Sequence, residues 1–174
     1  HQCNEDIALM RTIPGMVVIN PADDVEAKAA VRAAAAYVGP VYLRFGRLAA
    51  PIFNDAETYK FEMGKGITLR DGKDVTIVAT GILVGEAIKA GELLAAEGID
   101  ARIINIHTIK PIDKELMIKA SRETGRILTC EEHSIIGGLG SAVMEAIAEE
   151  APCKVSRLGV NDQFGHSGPG AKLL

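Results

Sequence analysis

Apolar runs and apolar stripes alternate along this chain. Met16 to Asn20 (MVVIN) is a nearly continuous β-branched run, the mark of a strand buried on both faces. Val41 to Phe45, Gly64 to Leu69, Val75 to Ala79, Ala101 to Ile106, Arg126 to Cys130 and Lys154 to Leu158 repeat that pattern. Between them the period changes to that of a helix. Asn4 to Arg11 forms a short one, ended near Pro14 and Gly15. Asp23 with Glu26 three residues on makes a capping box for the next, with Ala27, Ala30, Val31, Ala34 and Val38 as its buried stripe. A third carries Val84, Ala87, Ile88, Leu94 and Ala95 and closes at Gly98, and a fourth runs from Pro111 and Asp113 to Gly125. In the last, Leu139, Val143, Ala146 and Ile147 fall on one stripe.

Strands alternating with helices predict a mostly parallel, doubly wound α/β sheet covered on both faces. Asp71 and Gly72 read as a hairpin turn joining 64–69 to 75–79, which adds one antiparallel edge strand. From Leu48 to Glu62 the period breaks, with Pro51 and the Asn54, Asp55 pair inside, so a linker is expected there. That divides the chain into residues 1–57 and 58–174, with the tail from Gly159 as loop.

Composition narrows the class. With 48% apolar and 24% charged residues the chain has material for a globular core, enough for one full domain and a piece of another. A net charge of −4 with scattered Lys and Arg argues against nucleic acid as a partner. No apolar run approaches the roughly 20 residues of a spanning helix, so no membrane partner is expected. Cys3, Cys130 and Cys153 are widely spaced, without a CxxC pair, which fits neither a disulfide framework nor a zinc site and points to a cytoplasmic location.

Candidate chemistry gathers at strand ends. Arg44 and Arg47 offer a guanidinium fork for a phosphate or carboxylate, against the plainer reading that they are solvated or tie down the linker. Glu131, Glu132 and His133, expected as a polar tip after the strand, carry acid, base or metal-binding groups, but adjacent loop residues seldom converge on one ion, so an interface or loop-fixing role is favoured. Gly137, Gly138 and Gly140 could cradle a phosphate at a helix N-terminus or simply allow close packing; packing is favoured, because no P-loop Lys follows. Asp162, His166 and Ser167 supply the residue types of a hydrolase triad without a GxSxG elbow. His107, at a strand end, reads as a hydrogen-bonded structural residue.

Blocks of sequence add a resemblance. HQCNEDIALMRTIPGMVVINPADDVEA, GPVYLRFGR, DVTIVATG, GIDARIINIHTIKPID, EEHSIIGGLGSAV and RLGVNDQFGHSG, in that order, resemble successive blocks of the transketolase family, most of all the C-terminal section of transketolases made as two shorter chains. The resemblance implies the end of a thiamine-pyrimidine-binding α/β domain over 1–57 followed by the transketolase C-terminal domain over 58–174. It implies transfer of a two-carbon ketol unit between sugar phosphates with thiamine diphosphate and Mg2+. His1 matches the family's histidine at the reacting end of the sugar, and Arg47 the arginine that grips its phosphate.

The family's cofactor-activating glutamate lies before the His-Gln pair, and the diphosphate and metal ligands lie in another domain. The chain starts at His1 and stops at Leu174 without a closing element. It is therefore expected to be part of a larger enzyme, inactive and holding no cofactor by itself. Its expected partner is an N-terminal section carrying the diphosphate-binding domain, in a homodimer or heterotetramer. 1-Deoxyxylulose 5-phosphate synthases, which look similar at the His-Gln pair too, and 2-oxoacid dehydrogenase beta subunits share the domain order and stand as alternatives beside a non-catalytic dimerisation module.

Overall fold

The computed structural model describes residues 3–170. Helix α1 spans Asp6–Thr12, β1 Val17–Ile19, α2 Asp24–Ala36 and β2 Val41–Leu43. Then follow β3 Ile67–Arg70, β4 Val75–Ala79, α3 Leu83–Ala96, β5 Ala101–Asn105, β6 Thr108–Lys110 and α4 Lys114–Thr124. Strand β7 Arg126–Ser134, helix α5 Leu139–Ile147 and β8 Lys154–Val160 complete the order. Two sheets result, one of three strands in the order β2-β1-β6 and one of five in the order β3-β5-β4-β7-β8.

The five-stranded sheet is the predicted doubly wound unit. β5, β4, β7 and β8 run parallel, and β3 lies antiparallel on the edge. Successive residues of its strands point to opposite faces, so alternate positions fill two cores. Ile77, Ala79 and Ile103 pack with Val84 and Ala87 of α3. Val78, Ile104 and Ile127 pack with Met117 of α4 and with Leu139, Val143 and Ile147 of α5. The caps are those the residues promised: Asp113 accepts from the Leu116 amide, and Gly125 takes the left-handed conformation at φ 64°.

The hairpin expectation is corrected. β3 pairs with β5, not β4. Asp71 Oδ1 accepts from Arg102 Nε at 2.9 Å, and Gly72 lies so close to the Ala101–Arg102 backbone that a Cβ would sit 2.4 Å from it. The connection is thus pinned against the start of β5, and β4 enters on that strand's far side. In α3 the small residue that meets the sheet is Gly91, whose added Cβ would be 3.1 Å from Ile103, while Ala95 is exposed.

The three-stranded sheet contains an element that three residues could not announce. β6 pairs antiparallel with β1, while β2 pairs parallel with it, so a strand from beyond β5 closes onto the first part of the chain. The helix on this sheet departs from expectation. Asp23 does cap α2, accepting from the Glu26 amide, but only Glu26 and Ala30 of the helix are fully buried. Val31 is 47% exposed, and Val38, beyond the helix end, is 98% exposed. The stretch from Leu48 to Glu62 forms no helix or strand but is lashed to α2. Asp23 Oδ2 accepts from the Phe53 and Asn54 amides, and the Tyr59 hydroxyl donates to buried Glu26 at 2.5 Å.

Candidate functional site

The two sheets meet where β2 and β7 end, and polar residues hold the joint. Tyr42 of β2 donates to Asp6 Oδ2 at 2.8 Å, and Arg44, just past β2, reaches the same oxygen at 3.0 Å. Arg44 also donates to the carbonyls of Glu132 at 2.8 Å and Cys3 at 3.5 Å, and stands 3.6 Å from the Glu132 carboxylate. Its side chain is only 11% exposed. Arg44 is therefore a strut between α1, β2 and β7, not one arm of an open fork. Burial, followed by the neighbouring Asp6, pushes the Tyr42 hydroxyl up to about 12.

Arg47 lies three residues further and is exposed. No hydrogen bond or ion pair joins it to the described residues. Its loop stands at the β7 end, since a Cβ on Gly46 would be 3.8 Å from Glu132 Oε2. His1 falls outside the described residues. The first residues described run beside the same edge: Cys3 is bonded to Arg44, and the Asn4 carbonyl accepts from the Ser134 amide at 2.7 Å. A guanidinium with open donors on a braced loop suits a phosphate or carboxylate.

The expected polar tip is not a tip. β7 continues through Glu131, Glu132 and His133 to Ser134, with Glu131 and His133 buried and Glu132 half-buried. Glu131 Oε2 accepts from the Leu139 amide at 2.6 Å and Oε1 from the Gly140 amide at 2.9 Å. The helix N-terminus that might cradle a phosphate thus holds the chain's own carboxylate. A Cβ on Gly138 would lie 2.0 Å from that carboxylate, so the glycines serve close packing. Burial raises the pKa of Glu131, opposed by the two amide bonds. This turn does not fit a cofactor's diphosphate.

His133 Nδ1 is 2.7 Å from the Ser134 carbonyl and must donate to it, which leaves Nε2 to accept from the Ala8 amide at 3.3 Å. Burial lowers its pKa, consistent with this neutral tautomer. Sequence reasoning missed Asp6 and Arg11, which organise the joint from α1; Arg11 donates to the Gly137 carbonyl at 2.6 Å and pairs with Glu145. Their only signal was position, acid in the first turn of α1 and base in the last.

The remaining candidates separate. His107 is buried between the sheets, with Nδ1 2.9 Å from Thr108 Oγ1 and its ring 4.3 Å from that of Phe61. Burial lowers its pKa to about 4, as fits a structural residue. Asp162, His166 and Ser167 lie exposed in the tail, and no hydrogen bond links them among the described residues. Those residues hold no group of three or more His, Cys, Asp and Glu able to hold a metal, and no helix among them is long and apolar enough to cross a membrane.

Comparison with known proteins agrees with this architecture. Residues 64–174 match the family model of the transketolase C-terminal domain, and residues 1–52 that of the transketolase pyrimidine-binding domain. A protein of Methanocaldococcus jannaschii named as a transketolase C-terminal section is 51% identical over all of this chain and 55% of its own length. A 6-deoxy-6-sulfo-D-fructose transketolase subunit of a Clostridium species is 46% identical over 97% of this chain and 52% of its own. 1-Deoxy-D-xylulose-5-phosphate synthases also stand among the relatives.

A solved split-gene transketolase, described as an inactive β4 tetramer, superposes with a TM-score of 0.90 at 50% identity, over 93% of this chain and 54% of that one. The chain spans about half the length of these split-type relatives. It belongs to the transketolase family and corresponds to part of the C-terminal section of the split type.

Proposed function

We propose that this chain supplies the sugar-phosphate side of a transketolase active site. Residues 1–57 contribute the end of the pyrimidine-binding domain and 58–174 the C-terminal domain. The supporting observation is the placement of Arg47, exposed on a loop that Arg44 braces against α1 and β7, beside the first described residues of the chain. Arg47 grips the phosphate with paired N–H donors, and His1 hydrogen-bonds the hydroxyls at the reacting end and moves a proton there. Thiamine diphosphate with Mg2+ supplies the carbanion chemistry in the assembled enzyme, held by a partner section that carries the diphosphate-binding domain, within a homodimer or heterotetramer. Three free cysteines support a cytoplasmic location.

The test combines this chain with its diphosphate-binding partner and follows ketol transfer from xylulose 5-phosphate to ribose 5-phosphate. Arg47→Ala is expected to raise KM for the phosphorylated acceptor roughly 10- to 100-fold, the loss of about 1.5–3 kcal/mol of charged hydrogen bonding. Unphosphorylated ribose should be unaffected. Equal losses on both acceptors would remove Arg47 from the phosphate site. Turnover by the chain alone would remove the need for a partner, and faster reaction with pyruvate than with ribose 5-phosphate would favour a synthase, the reading that relatives of that name support.

A further inference from the structure

The sugar-phosphate reading uses nothing from the chain beyond β7, yet the tail returns to the same place. β8 ends level with β7, where Val160 pairs with Ser134 and accepts from the Ile135 amide at 3.1 Å. Asp162 then turns with φ at +40°, a conformation uncommon outside glycine and one in which Asn and Asp are enriched. Phe164, 95% exposed, follows the turn. Gly165 passes so close to Asn4 that an added Cβ would stand 3.3 Å from its Nδ2. Gly170 lies against Leu48, with a Cβ 2.9 Å from its side chain.

The tail therefore spans from Asn4, three residues after His1, to Leu48, the neighbour of Arg47. His166 and Ser167 are carried across that span. At no more than about 3.5 Å per residue, His166 lies within about 14 Å of Gly170 along the chain. Such irregular segments, positioned by a rigid sheet, often carry recognition groups.

We infer that the Asp162–Pro169 segment flanks the exposed Arg47 from the side of the five-stranded sheet, and that His166 donates to the anionic end of the sugar phosphate. The geometry behind this is the contact of the tail with both Asn4 and Leu48. The two neighbouring glycines keep the tail backbone close to those residues, and Pro169 limits its backbone freedom. His166 thereby becomes a second specificity-determining group beside Arg47, and one drawn from the C-terminal domain. The inference rests on the sugar-phosphate reading of Arg47, so its test carries Arg47→Ala as a parallel arm.

In the enzyme assembled with its diphosphate-binding partner, KM and kcat would be compared for ribose 5-phosphate and for unphosphorylated ribose. His166→Ala is expected to raise KM for ribose 5-phosphate about tenfold, leave kcat within about twofold and leave ribose unchanged; His166→Asn, which keeps a donor, should recover part of the loss. A shift shared by both acceptors, or none where Arg47→Ala shows its own, overturns the role of His166 and leaves that of Arg47 standing. A selective effect of His166→Ala with none from Arg47→Ala supports His166 and overturns the Arg47 reading. Silence from both variants overturns both. Thermal melting of each variant separates these outcomes from misfolding, since replacement of an exposed side chain should leave the midpoint within a few degrees.

Discussion

The two sheets are made of similar strands, but the helices against them are buried to different depths. β4 and β5 are buried along almost every residue, and α5 sinks Leu139 and Val143 completely. β2 is half-buried throughout, and the α2 side leaves Val31, Tyr37 and Val38 in contact with solvent. The difference teaches that an apolar stripe specifies a face suited to cover, not that the cover comes from the same chain. Beside the packing of Val17, Ile19 and Ala30 with Val41, Leu43 and Phe61, polar contacts fix the three-stranded sheet: Glu26 with Tyr59 and Asn105, Asp23 with the 53–54 amides, and Arg44 with Asp6 and Glu132.

Removing the strut should produce the largest effect on this contrast. Arg44→Ala leaves the Asp6 carboxylate, 8% exposed, with the Tyr42 hydroxyl but no cation at the joint. Stranding a buried charge costs about 3–5 kcal/mol. Urea unfolding of the variant should show that loss, and Arg44→Lys should restore it only in part, because an ammonium returns the cation without the guanidinium's spread of donors toward Asp6 and the Glu132 carbonyl. A loss under about 1 kcal/mol would mean that Arg44 is not what holds the joint.

Much of the five-stranded sheet was legible because its signals are local. Asp113 and Gly125 bound α4 where their chemistry says they should, and the α5 stripe lies on the core as spaced. The partner of β3 was not legible. Asp71 and Gly72 do lie in the connection after β3, but its attachment to Arg102 depends on a residue about thirty positions away. β6 is too short for any period. In β7 the signal was present and misread: Glu131 and His133 alternate with Glu132, the spacing of a strand whose inward positions happen to be polar. At the candidate site, type and position marked Arg44 and Arg47 alike and only the family resemblance set Arg47 apart; the role of Arg44 needed Asp6, and the tail's return to Asn4 and Leu48 depends on contacts that no spacing predicts.

A smaller effect comes from pH, at the point where β5 hands over to β6. Burial holds His107 neutral down to about pH 4, against an ordinary value of 6.5. Between those values the unfolded chain holds the extra proton, so stability falls as pH drops through the window, by on the order of 2–3 kcal/mol at its lower end. Glu26 and Glu131 oppose this. Burial raises both, so the folded chain takes up their protons first and gains stability as pH falls toward the ordinary carboxyl range. The clean measurement is the difference between the parent chain and His107→Asn across pH 4 to 7, which should narrow as the pH falls. A constant difference would show that His107 is not held neutral by burial, and the joint between the sheets would be wetter than its packing implies.

The smallest expected effect tests the exposed side of the comparison directly. Val38 is 98% exposed and follows the end of α2, so it has almost no buried area to lose. Val38→Ala should change the urea midpoint by the equivalent of less than about 0.5 kcal/mol, as for other surface positions without special contacts. Its value lies in what a larger number would mean. A loss above about 1 kcal/mol could not arise within the chain as folded here; it would require Val38 to be covered in solution. Repeating the measurement over a hundredfold range of protein concentration would show whether a second copy supplies that cover, since a loss of self-association must vary with concentration while an intrinsic loss must not.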